Sequence, residues 1–76
     1  MALSSLASSQ AEQALRQSAL PALRKLAIKE TEVEVVITGS VTSYYLKQLA
    51  QETIMPVVGK RELVNRVLVV RQHKRD

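Results

Sequence analysis

This chain has no cysteine, no tryptophan and no phenylalanine, and each absence narrows what it can be. Without cysteine it has no disulfide staple and no thiolate ligand for zinc. Without Trp or Phe its core must come from aliphatic side chains, for which an apolar content of 46% is enough. The single histidine, His73, falls in a basic tail, a poor setting for metal or catalytic work. The two glycines, Gly39 and Gly59, stand twenty residues apart, so "GKRE" is not a phosphate loop. It also lacks the second glycine that a nucleic-acid-clamping KH loop needs. No apolar run reaches membrane-spanning length, and the start "MALSSLASSQ" has no basic n-region. The expectation is a non-enzyme with no catalytic residue, metal, cofactor or small-molecule substrate. As written the chain reads as cytoplasmic; as a piece of a longer exported protein it would be periplasmic or at the envelope.

At 76 residues the chain is one small domain, and such a domain buries only about 60% of the surface its unfolded form exposes. The margin is thin, which makes association a live possibility. The net charge of +4 is unevenly placed. Residues 1–55 carry five bases and five acids, whereas residues 56–76 carry Lys60, Arg61, Arg66, Arg71, Lys74 and Arg75 against Glu62 and Asp76. Such a basic end suits anionic lipid headgroups or phosphates, although a solvated tail that keeps the domain soluble accounts for it equally simply.

Residues 1–8 read as a flexible segment. Ser9 with Glu12 has capping-box spacing, and Ala11, Ala14, Leu15, Ser18 and Ala19 then form the inward face of a short helix that Pro21 stops. Residues 22–30 fit a continuation of that helix by propensity. By period two, with Leu26 and Ile28 on one side, they fit a short strand, which the flanking proline and β-rich segment favour. In "TEVEVVITGSVT", Val33, Val35, Ile37, Gly39 and Val41 alternate with polar positions and Val36, predicting a strand whose glycine permits close approach. Thr42 or Ser43 then caps a helix with Leu46, Leu49, Ala50, Thr53, Ile54 and Val57 facing inward. Pro56 ends or kinks it, and Gly59 supplies a positive φ. In "ELVNRVLVVRQ", Leu63, Asn65, Val67 and Val69 alternate with Val64, Arg66, Leu68 and Val70 as a last strand, before a flexible basic tail over 72–76. The fold class is α+β, one domain of order α-β-β-α-β, with a three-stranded mixed sheet carrying two helices on one face.

The phrase "VVITGSVTSYYLKQLAQE…VVGKRELVNRVLVV" resembles the BON domain, a small bacterial module of osmotically induced periplasmic and nodulation-related proteins. Gly39, Val41, Lys47, Ala50, Gly59, Leu63, Asn65, Val67 and Val69 sit where that pattern expects them, and the likeness covers roughly residues 9–71. Two positions depart from it. Glu30, Thr31 and Glu32 stand where the family often has a hairpin glycine, and Lys60 and Arg61 follow Gly59 where a valine is common. The resemblance implies binding without catalysis: phospholipid or envelope attachment, or protein association within a larger protein.

On the residues themselves, Asn65 on the inner face should tie down a nearby backbone turn. The outer sheet face should expose Val36, Val64, Leu68 and Val70, a patch for back-to-back homodimer packing or a protein partner that Leu68→Glu would weaken. Tyr44, Gln48 and Met55 on the outer side of the second long helix, with Lys60, Arg61, Arg66 and Arg71, are the candidates for a lipid or partner surface. Tyr45 is expected to flank the core. Nucleic-acid binding through the basic end is the weakest reading, because the aromatics are not interleaved with the bases.

Overall fold

The computed structural model describes residues 9–70. The expected flexible segments at 1–8 and 72–76, together with Arg71 and His73, lie outside the described residues.

Ser9 opens the first helix as its spacing predicts. Its hydroxyl accepts the Glu12 N–H at 2.9 Å, and α1 covers Gln10–Arg16. The helix stops short of Pro21 because local bonds turn the chain first. Ser18 Oγ accepts the Leu20 N–H at 3.0 Å, and the Ser18 carbonyl accepts from the Arg24 guanidinium at 2.9 Å. Pro21, expected to end the first helix, instead begins a second, α2 (Pro21–Arg24), at a position where its missing N–H costs nothing. β1 (Ala27–Glu30) follows directly. Residues 22–30 are therefore one helical turn and then a strand, with Leu26 buried, Ile28 half-buried and Lys29 exposed.

The hairpin to β2 (Glu34–Thr38) is turned without glycine. Thr31 Oγ1 accepts the N–H groups of Val33 and Glu34 at 3.1 and 3.0 Å, while the Thr31 N–H donates to the Glu34 carbonyl at 2.8 Å. The threonine hydroxyl thus takes over the work of the absent glycine. This turn also overrides the alternation at Val33, which was expected on the buried face and is 71% exposed.

β3 (Ser40–Val41) continues β2 beyond Gly39, whose φ of +127° breaks the strand's regularity. The break does not shift the pairing. β4 (Glu62–Asn65) runs parallel to β2, and β5 (Leu68–Val69) parallel to β3, in one unbroken register from Glu34↔Glu62 to Val41↔Val69. The N–H groups of Glu62, Arg66, Leu68 and Val70 donate to the carbonyls of Val33, Ile37, Gly39 and Val41 at 2.8–2.9 Å. With β1 antiparallel to β2, the sheet order is β1-β2-β4, a mixed three-stranded sheet.

Between β3 and β4 runs α3 (Tyr44–Val58), capped by Ser43, whose hydroxyl accepts the Leu46 N–H at 3.2 Å. Pro56 neither ends nor visibly breaks it: the helix continues to Val58 with the proline on the exposed side, where an orphaned carbonyl can meet water. Gly59, with φ +70°, is its C-cap.

The core joins Ala11 and Leu15 of α1, Leu23, Leu26, Val35, Ile37, Val41, Ala50, Ile54 and Val58 of α3, and Val67. Its residues from β2 and β3, with Val67, are odd-numbered and Ile28 of β1 packs beside them, so both long helices cover one sheet face, and among the described residues no helix covers the face of Lys29, Val36 and Val64. Each fully buried Leu or Ile here contributes about 1.5–3 kcal/mol. The chain is an α+β domain of the expected layering. Tyr45, expected at the edge of the core, is 68% exposed. The inward stripe centres on Ala50, Ile54 and Val58 rather than on Leu46, and Tyr45 points about 140° away from Ala50.

Candidate functional site

The open face of the sheet can be read row by row from the register. Lys29, Val36 and Val64 lie side by side across β1, β2 and β4, both valines half-buried. One row toward the hairpin, Glu34 and Glu62 are direct neighbours, and neither has an ion pair among the described residues. In the other direction come Arg66, exposed, and then Leu68 and Val70, also exposed. Leu68 is 64% exposed, a large aliphatic on an edge strand with no helix above it among the described residues. Val36 and Val64 thus share a spot, with Leu68 and Val70 further along the same edge.

The remaining binding candidates do not form one surface. Tyr44, Gln48 and Met55 are exposed on α3, which covers the opposite side of the sheet from Arg66 and Leu68. Lys47 Nζ sits 5.8 Å from the Tyr44 ring centroid, a cation–π contact at an exposed site, and Gln48 Nε2 donates to Glu52 at 3.4 Å. Lys60 is exposed in the turn after Gly59. Arg61 is directed inward: Nε donates to the Val58 carbonyl at 3.0 Å, Nη2 to the Val57 carbonyl at 3.1 Å, and Nη1 to Glu30 Oε1. A guanidinium so placed caps the orphan carbonyls at the end of α3 and ties them to β1. Arg71 lies outside the described residues.

The positions of the resemblance have internal tasks. Val41 and Ala50 are buried, Gly39 and Gly59 carry the two positive φ values, and Asn65 joins sheet to helix. Asn65 Nδ2 donates to the Lys47 carbonyl at 3.0 Å and to Gln51 Oε1 at 3.3 Å, while its Oδ1 accepts the Val67 N–H at 3.1 Å.

Sequence reasoning did not find the Glu30–Arg61 pair, whose members are 31 residues apart and which no local pattern marks. The Ser9 hydroxyl beside it, and then Arg61, hold the Glu30 carboxyl below its ordinary value against the opposing effect of partial burial. Oε2 is out of water and makes no hydrogen bond of full geometry among the described residues, so the charged form rests on these few neighbours. A carboxylate with a lowered folded-state pKa makes the unfolded chain the better proton binder at acid pH. The stabilisation is therefore present above the ordinary carboxylate range and lost as pH falls through it toward Glu30's lowered value. Thermal unfolding followed from neutral to acid pH should show a steeper loss for wild type than for Glu30→Gln, which should start lower at neutral pH. Parallel curves would remove Glu30 from the account.

Among the described residues no three His, Cys, Asp or Glu side chains converge on a site that could hold a metal ion, and no helix there is long and apolar enough to cross a membrane. Comparison with protein-family models, with curated proteins and with solved structures finds no match for this chain.

Proposed function

We propose that this chain is a non-enzymatic binding module of the BON type that holds a protein partner on the open face of its sheet. The observation that carries this reading is the exposure of Leu68 and Val70 on the same sheet face as half-buried Val36 and Val64, a face that no helix covers among the described residues. Apolar residues interspersed and flanked by polar ones, here Thr38 and Arg66 between the two aliphatic groups and Lys29 and Ser40 beside them, suit a non-obligate protein-binding surface.

The second reading is attachment to an anionic phospholipid or cell-envelope surface, which Lys60, Arg66 and the basic residues after them favour at about 1 kcal/mol per base near the membrane. It is the weaker of the two because Arg61 is directed into the fold and the helix candidates Tyr44, Gln48 and Met55 face the other way. Two arms separate the readings. Proteins retained by the immobilised chain are compared between wild type and Leu68→Glu, and co-sedimentation is measured with vesicles of zwitterionic lipid with and without anionic lipid. Protein association should fall by roughly tenfold or more in Leu68→Glu. Retention indifferent to that substitution, with salt-sensitive pelleting on anionic vesicles, would hand the function to the lipid surface.

A further inference from the structure

The edge of the sheet carries a second surface, which borders the apolar patch at Val64. In the parallel ladder the even-numbered residues of β4 and β5 send their N–H groups to β2 and β3. The odd-numbered residues therefore present theirs to the open edge. The Val67 N–H is already taken by Asn65 Oδ1, which confines the unpaired segment to β4, where the N–H groups of Leu63 and Asn65 meet no partner strand among the described residues. Along that segment the outer face reads Glu62, Val64, Arg66: an acid, an aliphatic at the centre and a base, with neither charge in an ion pair among the described residues. Glu62 also stands beside Glu34, a like-charge contact that no cation relieves among those residues.

From this arrangement we infer that β4 pairs antiparallel with β4 of a second copy of the chain, about a two-fold axis at Val64, to make a six-stranded sheet. The register follows from charge. A two-fold at Val64 sets Glu62 opposite Arg66 of the other copy, twice over, and brings that arginine to the Glu34–Glu62 pair. Centred on Leu63, it would set Glu62 against a valine. Centred on Asn65, it would set Arg66 against Val64, and centred on Arg66 it would oppose two arginines. With Val64 at the axis, Leu63 and Asn65 exchange backbone hydrogen bonds with their opposite numbers, using the N–H groups that are open, and Val64 meets Val64 as a close non-hydrogen-bonded pair.

The helix layer agrees with it. Tyr44, Lys47, Gln51 and Met55 are spaced at three, four and four residues, so they line one flank of α3, and that is the flank Asn65 reaches through Lys47 and Gln51. The two-fold sets this flank beside the same flank of the other copy, the helices antiparallel, and covers exposed Tyr44 and Met55.

The test is a charge exchange on the full chain, read by sedimentation equilibrium over a wide concentration range, with circular dichroism to confirm that each variant is folded. Wild type should dimerise. Glu62→Arg and Arg66→Glu should each weaken self-association by roughly tenfold or more, since each sets like charges opposite at two places. Mixed in equal amounts, the two single variants should form a heterodimer, and the double variant Glu62→Arg/Arg66→Glu should dimerise again. A wild type that stays monomeric at high concentration would overturn the inference, as would singles that fail to associate when mixed. Leu68 lies beyond the paired segment, so Leu68→Glu should leave this dimer intact while removing the partner binding proposed above. The two readings can thus fail separately.

Discussion

Gly39→Ala is expected to lower the stability of this domain by about 2–4 kcal/mol, a large part of the roughly 4–11 kcal/mol available to a domain of this size. Two independent effects act at this position. The backbone φ is +127°, a conformation that L side chains rarely adopt. A Cβ built on the glycine would also stand 2.7 Å from Leu26 Cδ2, and Leu26 is a buried core residue whose side chain has little room to yield. Nor can the backbone easily relax, because the Gly39 carbonyl accepts the Leu68 N–H at 2.9 Å in the middle of the continuous parallel ladder. Gly59 is the natural control. Its φ is +70°, but no heavy atom lies within 4 Å of the position a Cβ would take. Gly59→Ala carries backbone strain without a collision, since φ +70° with ψ −133° lies outside the left-handed helical region, and it should cost about 1–2 kcal/mol, less than Gly39→Ala. Urea unfolding of both variants decides the matter: equal midpoints would show that the approach of Leu26 to Gly39 is immaterial. In a thermal melt the Gly39 variant should fall by roughly 10–30 °C.

The same glycine marks how far the sequence could be read. The alternation from Val35 to Val41 carries the face assignment and the need for a close approach at Gly39. It does not say what approaches, and the answer is Leu26, just before β1. Where a local hydrogen bond competes with periodicity, periodicity misleads. Val33 is lifted out of its strand by the Thr31 hydroxyl, and Pro21 begins a helix because Ser18 has already turned the chain. The helix wheel assigned Tyr44 outward correctly. It misplaced Tyr45 because the sheet meets α3 along Ala50, Ile54 and Val58, and the angle at which two elements meet is a property of the packed layers. At the candidate site, the open face with Val36, Val64, Leu68 and Val70 follows from period two alone. That Arg61 is directed inward does not, since a sequence shows a charge but not where it is aimed.

Asn65→Leu is expected to cost about 2–3 kcal/mol, because this one side chain closes three hydrogen bonds at the junction of sheet and helix. Leucine fills a similar volume, so the loss is polar rather than a cavity. The Val67 N–H loses its acceptor at a residue that is itself buried in the core. The Lys47 carbonyl and the Gln51 side chain lose the donor that ties α3 to β4. Asn65→Asp separates the two halves of the site. Its carboxylate still accepts from Val67, but it can no longer donate, and it would face the Lys47 carbonyl at about 3 Å as a second acceptor. Burial next to a carbonyl raises a carboxylate's folded-state pKa, so the penalty of Asn65→Asp should grow as pH rises through the ordinary carboxylate range of roughly 4. Asn65→Leu should show no such added dependence. Amide exchange gives the local readout: the Val67 N–H should exchange faster in Asn65→Leu than its loss of global stability requires, and in Asn65→Asp it should stay protected in proportion to global stability. If Val67 responds alike in both, its amide does not depend on Asn65 Oδ1, and the link between the sheet edge and α3 must lie elsewhere.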